Sequence, residues 1–177
     1  MNQHDTEPHV LQFRKCGTTD LDAIMNLQAL VCRGIKNKDI FVPSERDQNE
    51  ANLKQPNFIL GCFDRNLMAA YCTIAFPGEN VNNLGWDLLW PREKVLSCAL
   101  LDTIVVHPAF RGQRLQQRLI QYAVALLEES SDIRYLLTTV SPHNPYSLSN
   151  VQALDFEIMM KKLKYGGKER FILCRTL

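Results

Sequence analysis

The chain has 177 residues, of which 46% are hydrophobic and 22% charged, and its formal net charge is +1. This length and composition are typical of one globular domain built around a single core. The near-zero charge argues against nucleic acid and membranes as partners, since both attract strongly basic surfaces, and the longest apolar runs, such as residues 97–106, are too short to span a bilayer.

The six cysteines and the first residues of the chain indicate the cellular compartment of the protein. No C-x-x-C pair occurs, and most of the cysteines lie in apolar stretches, which favours buried reduced thiols. The first residues are polar and lack the apolar stretch of a signal peptide. A reducing cytoplasm fits both observations. No His, Cys or Asp spacing typical of a metal site is present, so no metal is predicted.

The first half of the chain predicts one strand, two helices and a hairpin. Alternating apolar residues indicate a strand over residues 9–15, and Thr18-Thr19-Asp20 offers a cap for a helix through about residue 32. Pro43-Ser44-Glu45 predicts a polar helix to about residue 53. Two apolar runs around Asp64-Arg65-Asn66 predict a β-hairpin over residues 57–64 and 67–76.

A connection over residues 77–94 follows, which we expect to be without regular structure. Connections of this length are uncommon in compact domains and tend to be functional. It contains Trp86 and Trp90, for which two interpretations stay open. The rings either roof a pocket for a cationic amine or pack on the core and hold the connection still.

The second half alternates strands and helices. An apolar strand ending at Val106 leads into a helix to residue 129, and further strands are predicted over residues 135–140, 156–163 and 170–175, with a tight turn at Lys164-Tyr165-Gly166-Gly167. The order β-α-α-β-β-β-α-β-α-β-β follows from pattern alone.

The segment of residues 100–120 is the most informative. A β-branched strand stops at Pro108 and turns through Arg111-Gly112 into an amphipathic helix that we expect to open at the glycine. The apolar face of that helix holds Leu115, Leu119, Tyr122, Ala123 and Leu126. Free backbone N–H groups and a positive dipole end at such a helix start predict an anion site, and two arginines stand beside it.

The same segment resembles motif A of the GNAT superfamily of acetyl-CoA-dependent N-acetyltransferases. In that family a strand ending in V-x-P leads into R-G-x-G-x-G/A, whose loop amides hold the CoA pyrophosphate. Here Val106-His107-Pro108 precedes Arg111, Gly112, Gln113, Arg114, Leu115 and Gln116. Arg114 and Gln116 replace small residues of the family pattern. The resemblance also implies that a backbone N–H among Ile104, Val105 and Val106 stabilises the oxyanion.

A second segment resembles GNAT motif B, which runs N-x-x-A/S, a short helix and then G-F. Asn144, Ser147 and Phe156 match this pattern, whereas Asp155 replaces the glycine. Val151 stands where many members carry a tyrosine that is thought to protonate the departing thiolate. Asn144 and Ser147 are therefore expected, with the motif A residues, at the cofactor.

Asp102 interrupts the most apolar strand. Burial without compensation raises the pKa of a carboxyl toward values useful to a general base, and the position resembles the acidic residue that precedes V-x-P in many GNAT proteins. The alternative is a structural carboxylate with a satisfied partner. For the missing acid, Tyr146 and Tyr165 are alternatives, although most tyrosines only pack and hydrogen-bond. His107 and His143 are expected to be surface residues.

The resemblance implies a single-domain α/β (α+β) fold over residues 9–177, after a short polar segment of residues 1–8. A mixed sheet of about six to seven strands would be flanked by about four helices. The implied activity is acetyl transfer from acetyl-CoA to a primary amine of a small molecule or peptide in a ternary complex. A catalytically inactive domain that binds CoA or acyl-CoA as a sensor or interaction module is the alternative. The acceptor is unidentified, and a homodimer is left open.

Overall fold

The computed structural model describes residues 10–129 and 132–177, which form one α/β unit. Its seven strands are β1 (Leu11–Lys15), β2 (Phe58–Asp64), β3 (Leu67–Ala75), β4 (Cys98–Val106), β5 (Tyr135–Val140), β6 (Glu157–Lys164) and β7 (Lys168–Thr176). The helices in the same ranges are α1 (Leu21–Gly34), α2 (Arg46–Asn52), α3 (Leu84–Asp87), α4 (Arg92–Leu96), α5 (Leu115–Glu128) and α6 (Pro145–Gln152). In this part of the chain, no helix combines the length and the apolar character needed to cross a membrane.

The strands form one mixed sheet in the order β1-β2-β3-β4-β5-β7-β6. Only β4 and β5 run parallel, and the other neighbours are antiparallel. The predicted class, a mixed sheet of six to seven strands with about four helices, is confirmed. Within residues 10–129 and 132–177, four helices have at least seven residues, and two very short helices accompany them.

Helices cover both faces of the sheet because successive strand residues point to opposite sides. Leu60 of β2 belongs to the large core under α5, whereas its neighbour Ile59 packs in the core under α1. In β4, Leu101 belongs to the large core under α5, whereas its neighbour Leu100 points to the opposite face. There Leu100 packs in a third cluster with Leu84 of α3. Each long helix buries one apolar stripe, as the predicted amphipathic patterns require.

The predicted elements are recovered with small shifts of their ends. The strand predicted over residues 9–15 begins at Leu11, and residue 9 lies outside the described residues, as does the predicted polar segment of residues 1–8. The six cysteines are free thiols, and Cys62, Cys72, Cys98 and Cys174 are buried, as expected.

The helix start predicted at Gly112 is wrong by three residues. The preceding turn places Gly112 at φ 81° and Arg114 at φ 57°, both in the left-handed region, and α5 begins only at Leu115. A right-handed helix cannot include left-handed residues, so the turn delays its start.

The connection over residues 77–94, predicted to lack regular structure, instead holds α3 and the start of α4. Asn83 organises it from a fully buried position. Its side-chain amide donates to the carbonyl oxygens of Gly78 (2.8 Å) and Val95 (3.0 Å), and its oxygen accepts from the Gly85 N–H (2.9 Å). One capping asparagine therefore joins both ends of the segment, a long-range role that local pattern does not reveal.

The parallel strands β4 and β5 separate part of the way along their length. Pairing runs only from Cys98 with Tyr135 to Leu101 with Thr138, although β4 continues to Val106. At the same level the pairing of β4 with β3 shifts by one residue: Thr73 faces Thr103, but Ile74 faces Leu101. Asp102 is the extra residue of this bulge, and a bulge bends its strand and redirects its side chain. A wedge opens between β4 and β5 at that point.

Candidate functional site

The wedge between β4 and β5 widens into a cleft of about 590 Å³, here called the β4–β5 cleft. Its floor is formed by residues 100–104 of β4 and 138–141 at the end of β5. One end is closed by Gln116 of α5 and by α6, and the other by residues 40–44, α2 and the β6–β7 hairpin. This volume is in the range of small-molecule sites.

Asp102 is on the floor of the cleft and accessible to solvent. The protein atoms around the carboxyl group partly desolvate it, and this partial desolvation raises its pKa above the ordinary value for aspartate. A 3.2 Å hydrogen bond donated by the Thr103 hydroxyl opposes this shift. No basic side chain among the described residues forms an ion pair with Asp102. Such a carboxylate is suited to accept a proton from a bound ligand.

The turn before α5 lies beside the cleft and not in its lining. Arg111, Gly112, Gln113 and Arg114 are all exposed, and none of their side chains reaches the cleft wall. The first amides of α5 have no partner one turn back, so the turn retains the features of an anion site. The unusual conformation falls on Arg114, the residue that replaces a small residue of the motif pattern.

Gln116, the second departure from the motif pattern, links α5 to α6. Its side-chain N–H donates to the Ser147 hydroxyl (3.1 Å), and its oxygen accepts from the Asn150 amide (2.9 Å). Asn144 caps α6 by accepting from the Ser147 N–H (3.1 Å). Gln116, Asn144 and Ser147 thereby meet at one end of the cleft, and their predicted contact with the cofactor stays a prediction.

The predicted residues of β4 are divided between the cleft and the core. Ile104 lines the cleft, whereas the side chain of Val105 is buried under α1. Val106 is half-buried, and Leu115, the first residue of α5, is buried in the core between that helix and the sheet. For Val105 and Leu115, only backbone groups are free to contact a ligand. Beyond Leu101 the edge of β4 that faces β5 has no partner strand, so alternate backbone groups of β4 face the opening.

Tyr165 enters the cleft from the β6–β7 turn. Its hydroxyl lies 3.1 Å from the Thr139 hydroxyl oxygen. Burial raises its pKa, and the charge of Asp102 adds to the shift. Tyr146, the other tyrosine considered for acid catalysis, is 84% exposed and lies outside the cleft lining. The structure therefore brings one of the two tyrosines to the predicted site.

Neither tryptophan of residues 77–94 is among the described residues that line the cleft. The Trp90 ring packs against Tyr135 with 5.0 Å between centroids, and the Lys94 ammonium lies 3.6 Å from the Trp90 ring centre. The aromatic surface is therefore already occupied by a lysine of the same chain. These contacts favour the packing interpretation for Trp90.

The residues that close the end of the cleft opposite α6 were not predicted from the sequence. Gln28 of α1 accepts from the Ser44 N–H (3.1 Å) and donates to its carbonyl oxygen (2.8 Å), which holds residues 40–44 over the sheet. Tyr71 donates to the same Gln28 oxygen (3.1 Å). Arg170 of β7 is the other missed residue and lines the same end. The only sequence feature that could have indicated these residues was Gln28, a polar residue on the apolar face of α1.

No cluster of His, Cys, Asp and Glu suited to a metal ion occurs within the described ranges. The cleft lining offers a carboxylate, a guanidinium, a phenol, several amides and an unpaired strand edge. Together they can accept a proton, donate hydrogen bonds to a developing oxyanion and bind an extended ligand.

Comparison with known proteins agrees with this geometry. The sequence model of the Acetyltransferase (GNAT) family matches residues 24–156. Among solved structures, the ribosomal-protein-S18-alanine N-acetyltransferase from Escherichia coli is 17% identical with a TM-score of 0.70, and the match covers 94% of each chain. A GNAT-family acetyltransferase from Streptococcus pneumoniae is 16% identical with a TM-score of 0.71, covering 95% of this chain and 100% of that one.

A third similar structure contains the cofactor. The candidate acetyltransferase yncA from Salmonella typhimurium, solved with acetyl-CoA, is 13% identical with a TM-score of 0.70, and the match covers 94% of each chain. At these identities the structures show a common fold. No curated protein matches the chain.

Proposed function

Because this chain belongs to the GNAT acetyltransferase family and uses acetyl-CoA, we propose that it moves the acetyl group to a primary amine by direct attack in a ternary complex. The acceptor is a small molecule or peptide. The observation that carries this proposal is the position of Asp102, which stands on a strand bulge at the floor of an open cleft and has a raised pKa.

Acetyl-CoA binding is assigned to the end of the cleft next to α5 and α6. The amides of residues 111–116 would hold the pyrophosphate at the start of α5, and Arg111 and Arg114 would add positive charge. Asn144 and Ser147 line the adjacent wall. The unpaired edge of β4 between Asp102 and Val106 would bind the extended arm and present an N–H to the thioester oxygen.

The chemistry follows from these placements. The acceptor ammonium loses one proton to solvent, and Asp102 takes the second proton from the attacking nitrogen, either directly or through one water molecule. The nitrogen bonds to the acetyl carbon and the carbonyl oxygen becomes an oxyanion, which then re-forms the carbonyl as the carbon–sulfur bond breaks and the thiolate leaves. We assign proton donation to the thiolate to Tyr165, because Val151 occupies the family's tyrosine position and Tyr146 lies outside the cleft.

The test is release of free CoA thiol from acetyl-CoA in the presence of a panel of primary amines. Dependence of thiol release on an added amine would support acetyl transfer. Binding of acetyl-CoA without release for any amine would instead support the inactive binding module. Asp102→Asn, which preserves shape and removes the charge, should keep acetyl-CoA affinity and lose turnover. The cytoplasmic location and the homodimer stay predictions.

A further inference from the structure

The described residues that line the β4–β5 cleft include only two charged side chains, Asp102 and Arg170. They come from different strands, β4 and β7, and Tyr165 interacts electrostatically with both. The proposed function gives Asp102 a role at the amine. It gives none to Arg170.

Arg170 is only 4% exposed, although it carries a full positive charge. One guanidinium nitrogen donates to the Glu169 carbonyl oxygen (2.7 Å) and the other terminal nitrogen donates to the Asp39 carbonyl oxygen (2.6 Å). Five N–H groups are available on a guanidinium, so these two bonds leave donors for another partner. Its face also lies over the Tyr165 ring, at 5.6 Å.

No carboxylate within the described part of the chain forms an ion pair with Arg170, although the charge of the Asp39 carboxylate partly opposes the lowering of the Arg170 pKa by burial. The Asp39 carboxylate, which is nearby, is paired with Lys168 at 3.3 Å, and the Glu169 carboxylate is paired with Lys161 at 2.8 Å. A buried charge without a counter-ion is costly unless a ligand supplies one. Backbone carbonyls orient the guanidinium but do not cancel its charge.

We infer that the acceptor carries a carboxylate as well as the amine, with the carboxylate bound by Arg170 and the amine directed to Asp102. The inference rests on the proposed function and names its substrate class: α-amino acids and related small amino-carboxylates. The planar guanidinium fork matches a carboxylate in a bidentate arrangement. One arginine and one aspartate also match the single negative and single positive charge of a zwitterion.

The rest of this end of the cleft agrees with a small zwitterion. Phe41, Val42 and Phe76 provide an apolar wall for a side chain, and Asn52 and Asn57 provide neutral hydrogen-bonding groups. A phosphate monoester, which carries about −1.5 to −2 charges near neutral pH, would exceed the charge of one arginine. An amine without an anionic group would leave Arg170 uncompensated.

The experiment measures acetyl-CoA thiol release with three matched series: the common α-amino acids, their amides and the corresponding decarboxylated amines. We expect kcat/KM for the preferred amino acid to exceed that of its amide and its amine by about tenfold to a hundredfold, as loss of a charged hydrogen-bond partner predicts. Arg170→Gln should remove most of this difference by raising KM for the amino acid, while KM for the decarboxylated amine changes little.

Lys162→Gln is the matched control. It removes a positive charge from the position of β6 that pairs with Arg170, its side chain does not line the cleft, and its partner Asp87 keeps an ion pair with Lys164 (2.6 Å). The amino-acid preference should survive in this variant. Calorimetric titration with acetyl-CoA, which binds at the other end, checks that both variants are folded.

The outcomes separate the inference from the proposed function. Acetylation of decarboxylated amines or amides as efficiently as amino acids by the unmodified protein would overturn the inference and leave the acetyltransferase intact. Absence of thiol release with every amine, despite acetyl-CoA binding, would overturn both.

Discussion

Replacing Arg114 by glycine should stabilise the protein, whereas replacing it by alanine should not. Arg114 stands at φ 57° and ψ 27° immediately before α5. A residue with a Cβ pays about 1–2 kcal/mol for this left-handed conformation, which glycine adopts freely. Glycine also gains about 0.4–1 kcal/mol of conformational freedom in the unfolded chain, which opposes the benefit.

The net expectation for Arg114→Gly is an increase of about 1 kcal/mol in the free energy of unfolding. For a chain of this length that corresponds to a rise of roughly 2–4 °C in Tm. Arg114→Ala keeps the strained backbone and should unfold close to the unmodified protein. Because the arginine side chain is exposed and both variants lose it, the difference between them isolates the backbone term.

The same pair of variants tests the charge. If Arg114 contacts a CoA phosphate, both variants should bind acetyl-CoA up to about fivefold more weakly at low salt, and the loss should shrink at high salt, where screening removes the attraction. Thermal unfolding and calorimetric titration measure the two effects separately. Equal stability of the glycine and alanine variants would refute the backbone argument, and tighter binding by both would show that the side chain obstructs the phosphate.

Three further changes test the cleft and its surroundings. Asp102→Asn should lower turnover about 10²–10⁴-fold. It should also abolish the acidic limb of the plot of kcat/KM against pH, which in the unmodified protein lies above the usual carboxyl range because the pKa of Asp102 is raised. Unchanged turnover across pH would assign the general base to another group. A raised folded-state pKa also means that stability is lost as pH rises from the unfolded pKa through the folded one, so denaturant titration at neutral pH should find the asparagine variant at least as stable. Tyr165→Phe, which removes the hydroxyl bonded to Thr139, should lower kcat at least about tenfold and leave acetyl-CoA affinity unchanged, and an unaltered kcat would exclude it as the acid. Trp90→Ala should lower the free energy of unfolding by about 3 kcal/mol, or Tm by roughly 6–12 °C, and leave the KM for the acceptor unchanged. A raised acceptor KM with unchanged stability would instead support the interpretation that the ring roofs a pocket.

Local pattern was enough to predict most elements because hydrophobic period and turn residues are read directly along the chain. The strand over Tyr135–Val140 was predicted to the residue, and the paired glycines of the β6–β7 turn were recognised from composition. The two motifs also singled out Gln116, Asn144 and Ser147 as a group, and the structure brings all three to the same cleft. The prediction of an irregular connection over residues 77–94 was wrong because one side chain, Asn83, bonds to backbone groups at both ends of this segment.

The end of the cleft that holds Arg170 was decided by tertiary structure alone. Asp102 could be singled out in the sequence as a charge in an apolar strand, but its direction depends on a bulge defined by the pairing with β3. Arg170 reads in the sequence as an ordinary exposed strand residue. It becomes a buried cleft charge only because β7 lies next to β6 at the sheet edge and the loop before α2 crosses to it, joining Arg170 to Asp39 over 131 positions. Periodicity records which face of an element is apolar, whereas the contacts between distant loops are selected by the packing of the whole sheet, and that packing made this cleft.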